Sequence, residues 1–188
     1  MTDDYITDAN KLSIIEAALR NAYAALDKRY NDLVAWNATT QSEFQTMFGT
    51  TSADARKEIM ERIYCMKEHI ILNNFIALKR DFYTGKMKRG YTEQFFETND
   101  DSYAHVYHND VDMEIYLDKS FWTAPALGRD SQMGTIVHEM SHFSGVAGKR
   151  SKDYRYGLIA AKQFAISDPK KALYNADNFE YFIEGGPY

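Results

Sequence analysis

The sequence predicts a mainly helical α+β fold, and three features of the 188-residue chain support this prediction. Apolar side chains recur every three or four positions through most of the first 75 residues, as in helices that bury one face. In two short segments within residues 104–117, apolar side chains recur with a period closer to two, as they do in strands. A helical segment follows at residues 134–143, and its apolar residues Ile136, Val137, Met140 and Phe143 indicate that it is buried. We therefore expect helices to form most of the core, beside a small sheet.

Composition and charge exclude several classes of protein. The residues are 45% hydrophobic and 26% charged, which is typical of a globular domain and not of a disordered or fibrous chain. The formal net charge of −5 provides no basic field, so we expect no nucleic-acid partner. No segment reaches the roughly 20 apolar residues of a membrane span. Cys65 is the single cysteine, so the chain forms no internal disulfide.

Capping residues and glycines indicate where the helices begin and end. The N-terminal boundaries predicted in this way are Asp8 to about Trp36, Gln41 to Met47 before Gly49, and Thr51 or Ser52 onwards through Ile70. The C-terminal ones are Asp130 or Ser131 to about Ser144–Gly145, Tyr156 to Ile166, and Asp177 to Ile183. Between the two groups, strands Ala104–Tyr107 and Met113–Leu117 are predicted to form a hairpin around the polar turn His108–Asp110.

The functional prediction depends on His138, Glu139 and His142. Residues four apart on a helix lie on one face, so both imidazoles can bind a single metal ion. Zinc lowers the pKa of its water from near 16 to about 7, and the adjacent Glu139 can accept the proton. The alternative is a surface helix that carries these residues without a function. Their apolar neighbours indicate a buried helix, where unpaired His and Glu are costly.

A catalytic zinc site usually has three protein ligands and a water, so a third ligand is required. Asp153 lies eleven residues after His142, which leaves room for the helix to end and the chain to turn back. Asp153 could instead cap the next helix. His105 and His108 are further candidate ligands, although we interpret them as part of a surface hairpin.

The residues after the predicted metal helix resemble a known family. Residues 153–157 read Asp-Tyr-Arg-Tyr-Gly, which is similar to the Asp, two variable residues, Tyr and Gly of the aspzincins, a family that includes deuterolysin and the peptidyl-Lys metalloendopeptidases. Further matching segments are Ile115–Leu117, Phe121–Trp122, Ala124–Pro125, Asp130–Gln132, Gly134–His138 and Asn175–Phe182. The likeness is looser over the N-terminal helices.

The resemblance implies a site as well as a fold. The fold would be a zincin-like metallopeptidase domain, with an active-site helix and a small antiparallel sheet. One zinc ion per chain would be held by His138, His142 and Asp153. Glu139 would act as general base, and Tyr156 would donate its hydroxyl to the tetrahedral oxyanion, whose charge a phenol near zinc can stabilise.

Asp177 and Glu180, three residues apart, can share one side of the first turn of their predicted helix. At the matching positions, the peptidyl-Lys members of the family have an acidic pair that binds a substrate lysine, which implies cleavage on the N-terminal side of Lys. The alternative is a capping box, in which both side chains bond to the backbone of their own helix. The chain also departs from the family, with Lys149–Lys152 in place of a Gly-Thr pair and no cysteine in Asp118–Ser120.

We expect one metallopeptidase domain over residues 1–188, with a helical lobe at 1–75 and a sheet and zinc-binding catalytic lobe at 76–188. The leading interpretation is a zinc endopeptidase that acts on a protein or peptide, with the second hairpin strand bordering the cleft. A second is a toxin-like domain, delivered into another cell, that cuts one target protein or a peptidoglycan peptide. A third is a non-catalytic zinc-binding protein. No motif indicates an inhibitor or immunity protein.

The N-terminus bears on where the protein acts. Residues 1–4 are acidic and lack the basic and apolar regions of a signal peptide. We therefore expect a protein that is secreted or delivered to another cell without a visible signal, with a cytoplasmic location as the alternative.

Overall fold

Helices make up most of the computed structural model, which describes residues 4–6, 8–72, 95–107 and 114–186. The helices in these ranges are α1 (Ala9–Ala35), α2 (Ala38–Phe48), α3 (Ala53–Leu72), α4 (Lys119–Thr123), α5 (Gln132–Ser141), α6 (Ser144–Ala147), α7 (Leu158–Ser167), α8 (Pro169–Ala172) and α9 (Ala176–Glu184). The strands are β1 (Asp4–Tyr5), β2 (Phe95–Glu97), β3 (Ala104–Val106) and β4 (Ile115–Leu117). The mainly helical α+β class is confirmed. Among the described helices, none is long and apolar enough to cross a membrane.

The strands form one mixed sheet in the order β1-β2-β4-β3. β1 pairs with β2 and β3 with β4 in antiparallel fashion, whereas β2 and β4 run parallel. The expectation of a wholly antiparallel sheet is therefore wrong, because β4 returns beside β2 after the chain has reversed twice. β4 lies between two strands, so the expectation that the second hairpin strand borders the cleft is also wrong. The outer strands of the described sheet are β1 and β3, and β3 is the one beside β4. The turn His108–Asp110 lies outside the described residues.

The predicted caps of the N-terminal helices are confirmed. The Asp8 side chain accepts hydrogen bonds from backbone N–H groups in the first turn of α1, and Ser52 does the same for α3. α1 ends at Trp36 and α2 at Gly49, both in the left-handed conformation. α2 begins earlier than predicted because the Asn37 side chain caps it.

The predicted apolar stripes meet in one buried core, in which α1 contacts α3, α5 and α9. The buried members of the stripes are Leu12, Ile15, Leu19, Ala22, Leu26, Ile59, Ile63, Met66 and Ile70. Ring centroids of Phe44 and Phe48 in α2 lie 5.6 and 5.2 Å from that of Phe182 in α9, in edge-to-face contacts. These contacts hold α9 against α2. The division into lobes at residue 75 stays a prediction.

The helix α5 ends earlier than predicted. Its last residue is Ser141, and the N–H of His142 bonds to the Glu139 carbonyl three residues back, at 3.1 Å. Such a tightened turn is common where a helix ends. α6 then begins separately at Ser144. His138 and His142 still lie on successive turns, with ring centroids 5.2 Å apart.

The two C-terminal helices differ in how well they match prediction. α9 agrees within one residue at each end. α7 begins two residues later than predicted, after Gly157, whose φ of 83° is not helical. Tyr156 therefore lies in the loop before α7 and not in the helix.

Glu184, the last residue of α9, binds the start of α5. Its carboxylate accepts hydrogen bonds from the N–H and hydroxyl of Ser131, at 3.0 and 2.8 Å. A Cβ at Gly134 would overlap this carboxylate, so the glycine permits the close approach of α9. Burial, together with the nearby charge of Glu180, raises the pKa of Glu184 to about 8.

We predict that Glu184→Gln flattens the pH dependence of stability between about pH 5 and pH 8. In this window folded Glu184 keeps a proton that the unfolded chain has lost, so the free energy of unfolding falls as pH rises. Urea denaturation at several pH values measures the slope, with EDTA present so that no metal contributes. Glu61→Gln, at an exposed position of α3, should keep the original slope. Equal slopes in all three proteins would contradict the prediction.

Candidate active site

The three predicted metal ligands converge on one point. Nε2 of His138 and Nε2 of His142 lie 3.1 and 3.2 Å from the same atom, Oδ1 of Asp153. The two histidines come from α5 and its C-cap, whereas Asp153 comes from the loop between α6 and α7. The side chains of His138, His142 and Asp153 are 12%, 2% and 23% exposed, so the cluster is shielded but reachable from solvent.

The other nitrogen of each imidazole has a partner that orients the ring. Nδ1 of His142 lies 3.2 Å from the carbonyl oxygen of Ser151, which can only accept, so this nitrogen carries a proton. Nδ1 of His138 lies 2.9 Å from Oε2 of Glu180 and 3.3 Å from Oδ1 of Asp177. These partners leave Nε2 of each ring available to bind a metal ion.

Burial and close charges shift the pKa values of the site. Burial would lower the pKa of His138, but hydrogen bonds to Asp153 and Glu180 raise it well above its ordinary value. Burial would raise the pKa of Asp153, but hydrogen bonds to both imidazoles hold it well below its usual range. Burial also raises the pKa of Asp177 to about 6. The surroundings of His138 therefore stabilise a positive charge on its ring.

The three ligand atoms suit zinc in type and spacing. Zinc binds imidazole nitrogen and carboxylate oxygen at about 2.0–2.2 Å, so two ligands of a tetrahedral ion lie about 3.3–3.6 Å apart. The separations of 3.1 and 3.2 Å from Asp153 Oδ1 are close to this range. His138, Asp177 and Glu180 form a second close group. That group has one imidazole only, so the group with two histidines fits zinc better.

A pocket of about 380 Å³ opens beside the ligands. Glu139 from α5 and Tyr156 from the loop before α7 line it, as do Asp177 and Glu180 from α9. The residues that lead into β3, 102–104, form another part of its wall. Among the described residues that line this pocket there is no Lys or Arg. The structure thus brings all the predicted site residues to one acidic pocket and the ligand cluster next to it.

Asn175 holds the loop that carries Asp153 and Tyr156. Its Oδ1 accepts from the backbone N–H groups of Tyr154 and Arg155, at 2.8 and 3.0 Å. Its Nδ2 donates to the Arg155 carbonyl at 3.0 Å, and the residue is fully buried. The sequence indicates no role for Asn175 beyond its place in a matching segment. A polar residue directly before an acidic helix is the signal that could have identified it.

Two alternatives for the acidic residues are contradicted. Asp153 does not cap α7, which begins five residues later without a capping side chain. Asp177 and Glu180 form no capping box, because their carboxylates bond outside α9. Asp177 accepts from the N–H of Gly157, next to Tyr156, and Glu180 faces His138.

The histidines of the predicted hairpin do not join the cluster as far as the structure describes them. Nδ1 of His105 lies 3.1 Å from Oδ2 of Asp118, which is fully buried. The same carboxylate accepts from the hydroxyls of Thr98 and Ser102. His105 is therefore part of a separate polar network beside the sheet, and His108 lies outside the described residues.

Comparison with known proteins identifies the family. The sequence profile of the aspzincins, described as lysine-specific metallo-endopeptidase, matches residues 34–184. The chain belongs to the aspzincin family. A peptidyl-Lys metalloendopeptidase of Grifola frondosa is 35% identical over 169 residues, which cover 82% of this chain and 47% of that protein. An extracellular protease of Aeromonas hydrophila is 55% identical over 85 residues, which cover 45% of this chain and 24% of that protein.

A solved structure agrees with the aspzincin assignment. A zinc peptidase from Grifola frondosa matches with a TM-score of 0.73 at 32% identity, covering 94% of this chain and 96% of that chain. The aspzincin resemblance inferred from the sequence is thus confirmed. The chain spans less than half the length of the curated relatives it matches.

Asn175→Ala should lower the free energy of unfolding by about 1–3 kcal/mol, because it leaves buried polar groups of the loop without partners. Urea denaturation of the metal-free protein measures the loss. Asn31→Ala is the matched control, since Asn31 is exposed on α1 and its side chain donates to the neighbouring Asp27 on the same helix. It should change stability by less than about 0.5 kcal/mol. Equal effects of the two substitutions would rule out the supporting role of Asn175.

Proposed function

We propose that this chain is a zinc-dependent endopeptidase that hydrolyses peptide bonds of proteins or peptides. The proposal rests on the convergence of His138, His142 and Asp153 beside a pocket lined by Glu139. Membership of a family described as metallo-endopeptidases supports it independently. Zinc, when bound there, would polarise the substrate carbonyl and activate a water.

Glu139 acts as general base in this proposal. It is 5% exposed and borders the pocket next to the ligand cluster. Burial raises its pKa, whereas the two nearby imidazoles oppose this shift. A carboxylate with a raised pKa is a stronger base, so it is better suited to take a proton from water and then return that proton to the leaving amine.

Tyr156 donates a hydrogen bond to the oxyanion in this proposal. Partial burial and the negative charge of Asp153 raise the pKa of Tyr156, so the phenol keeps its proton at neutral pH. Its loop is fixed on one side by the bond from Gly157 N–H to Asp177. A hydrogen bond that strengthens as the carbonyl oxygen becomes negative lowers the barrier to reaction and not merely the KM.

The edge of β3 that pairs with none of the described strands is the proposed place for the substrate backbone. β3 is one of the two outer strands of the described sheet, and the residues leading into it line the pocket. An extended peptide could pair with this edge and place a side chain in the pocket, which is the strand-addition mode of recognition.

We further propose cleavage on the N-terminal side of Lys. Asp177 and Glu180 are 6% and 9% exposed at their side chains and line a pocket with no Lys or Arg among its described members. Two shielded carboxylates favour an ammonium over a neutral side chain, and the planar guanidinium of Arg needs a different arrangement of acceptors. The names of several relatives, peptidyl-Lys metalloendopeptidase, support the same specificity.

We propose that the protein is secreted. The Aeromonas hydrophila relative is named an extracellular protease, which supports action outside the producing cell. Immunodetection of the protein in culture medium and in washed cells of the producing organism tests this, and retention within the cells would contradict it.

Glu139→Gln should leave zinc content unchanged and lower kcat by about 10²- to 10⁴-fold, since it removes the base but no ligand. Metal analysis and a casein digest measure the two properties. Zinc at one per chain with no cleavage by the unmodified protein would favour the non-catalytic interpretation. Substantial activity in Glu139→Gln would remove Glu139 from the mechanism.

Asp177→Asn combined with Glu180→Gln should lower kcat/KM for Lys peptides more than for matched Leu peptides. The ratio of the two is the measurement, because Glu180 also bonds to His138 and its loss affects all substrates alike. Mass spectrometry of products from a mixed peptide library gives this ratio. Equal cleavage before Lys, Leu and Ala by the unmodified protein would exclude the Lys pocket.

A further inference from the structure

Arg62 is a buried charge that the proposed reaction does not use. It lies on α3 and is 1% exposed, far in sequence from the metal ligands. Its guanidinium donates to the hydroxyl of Ser151 and to the carbonyl of Leu173. It also stacks on the ring of Phe179, 4.4 Å from the ring centroid.

The surroundings of Arg62 make its charge costly. Burial lowers its pKa to about 10, which opposes the charged form. The negative charge of Glu58, one turn earlier on α3, partly offsets this lowering of the pKa. The Glu58 carboxylate, however, accepts its hydrogen bond from Lys149. Replacing a buried charge by an apolar residue of similar size is often neutral or stabilising. Stability alone therefore does not explain an arginine at this position.

Ser151 accepts the hydrogen bond from the Arg62 guanidinium and also orients His142. Its N–H donates to the Ser141 carbonyl at 2.8 Å, and its own carbonyl accepts from Nδ1 of His142 at 3.2 Å. Asp153 follows two residues later. The position of Ser151 therefore affects both the direction of one imidazole and the starting point of the third ligand.

We propose that Arg62 is a positioning residue of the metal site, acting through Ser151 on His142 and Asp153. The guanidinium anchors the Ser151 side chain to α3, which holds the carbonyl against Nδ1 of His142 and leaves Nε2 facing the metal position. This inference rests on the proposed function, because it assumes that His142 and Asp153 bind zinc. Residues that orient metal ligands typically change metal affinity by about 10- to 100-fold when they are removed.

The test compares zinc affinity in Arg62→Met, Ser151→Ala and the double variant. Each single substitution should weaken zinc binding about 10- to 100-fold, measured by competition with a chromophoric chelator on proteins whose far-UV circular dichroism is unchanged. The double variant should lose no more zinc affinity than whichever single variant binds zinc more weakly, because the two substitutions remove the same contact. The visible spectrum of the Co²⁺-substituted protein should shift in the same variants, which reports the geometry around the metal. If Arg62→Met does not fold, Ser151→Ala alone decides by the same two measurements.

Lys149→Met provides the matched control, because Lys149 joins the same loop to the same helix through Glu58 and not through Ser151. It should keep the original zinc affinity and Co²⁺ spectrum. The inference is overturned if Arg62→Met and Ser151→Ala bind zinc as the unmodified protein does, if their losses multiply in the double variant, or if Lys149→Met loses as much. Failure of the unmodified protein to bind zinc would instead overturn the proposed function itself.

Discussion

The contact of His138 with carboxylates on both sides is the constraint on which the rest of the site depends. Asp153 approaches Nε2 from a loop, and Glu180 approaches Nδ1 from α9, so one ring joins segments that are distant in sequence. A buried imidazole with a raised pKa is tolerated only if such partners stay close. α9 must therefore pack tightly on α5. Gly134, which leaves room for the α9 carboxylates, makes that packing possible.

Close packing of α5 and α9 also concentrates negative charge. Glu139, Asp153, Asp177 and Glu180 lie close to the imidazoles, and Glu184 lies beside Glu180. Burial and the nearby carboxylates raise the pKa values of Asp177 and Glu184. A divalent cation at the Nε2 side and an ammonium in the pocket would each reduce this repulsion. The proposed metal site and the proposed lysine pocket are thus stabilised by the same carboxylates. Glu180 belongs to both, because it orients His138 and lines the pocket.

Local signals in the sequence predict local features well. The spacing of His138 and His142 predicts a shared helix face, and caps such as Asp8 and Ser52 are found where expected. Features that depend on tertiary contacts were missed. The order of the strands and the break of α5 at Ser141 follow from packing, which no local pattern encodes. The loop groups that Asn175 binds and the groups that receive Arg62 lie 20 or more residues away in sequence, so both roles are visible only in the fold.

The loop from residue 149 to residue 153 explains how the aspzincin site tolerates a different sequence. Where the family usually has Gly-Thr, this chain has Lys-Arg-Ser-Lys, yet Asp153 still meets both imidazoles. The backbone of Lys152 donates to the Tyr174 carbonyl at 2.8 Å and accepts from Ala176 at 3.0 Å. Such bonds do not depend on side-chain identity. The loop is thus held by its main chain at one end of α9, which leaves its side chains free to make contacts of their own, as Ser151 does with Arg62.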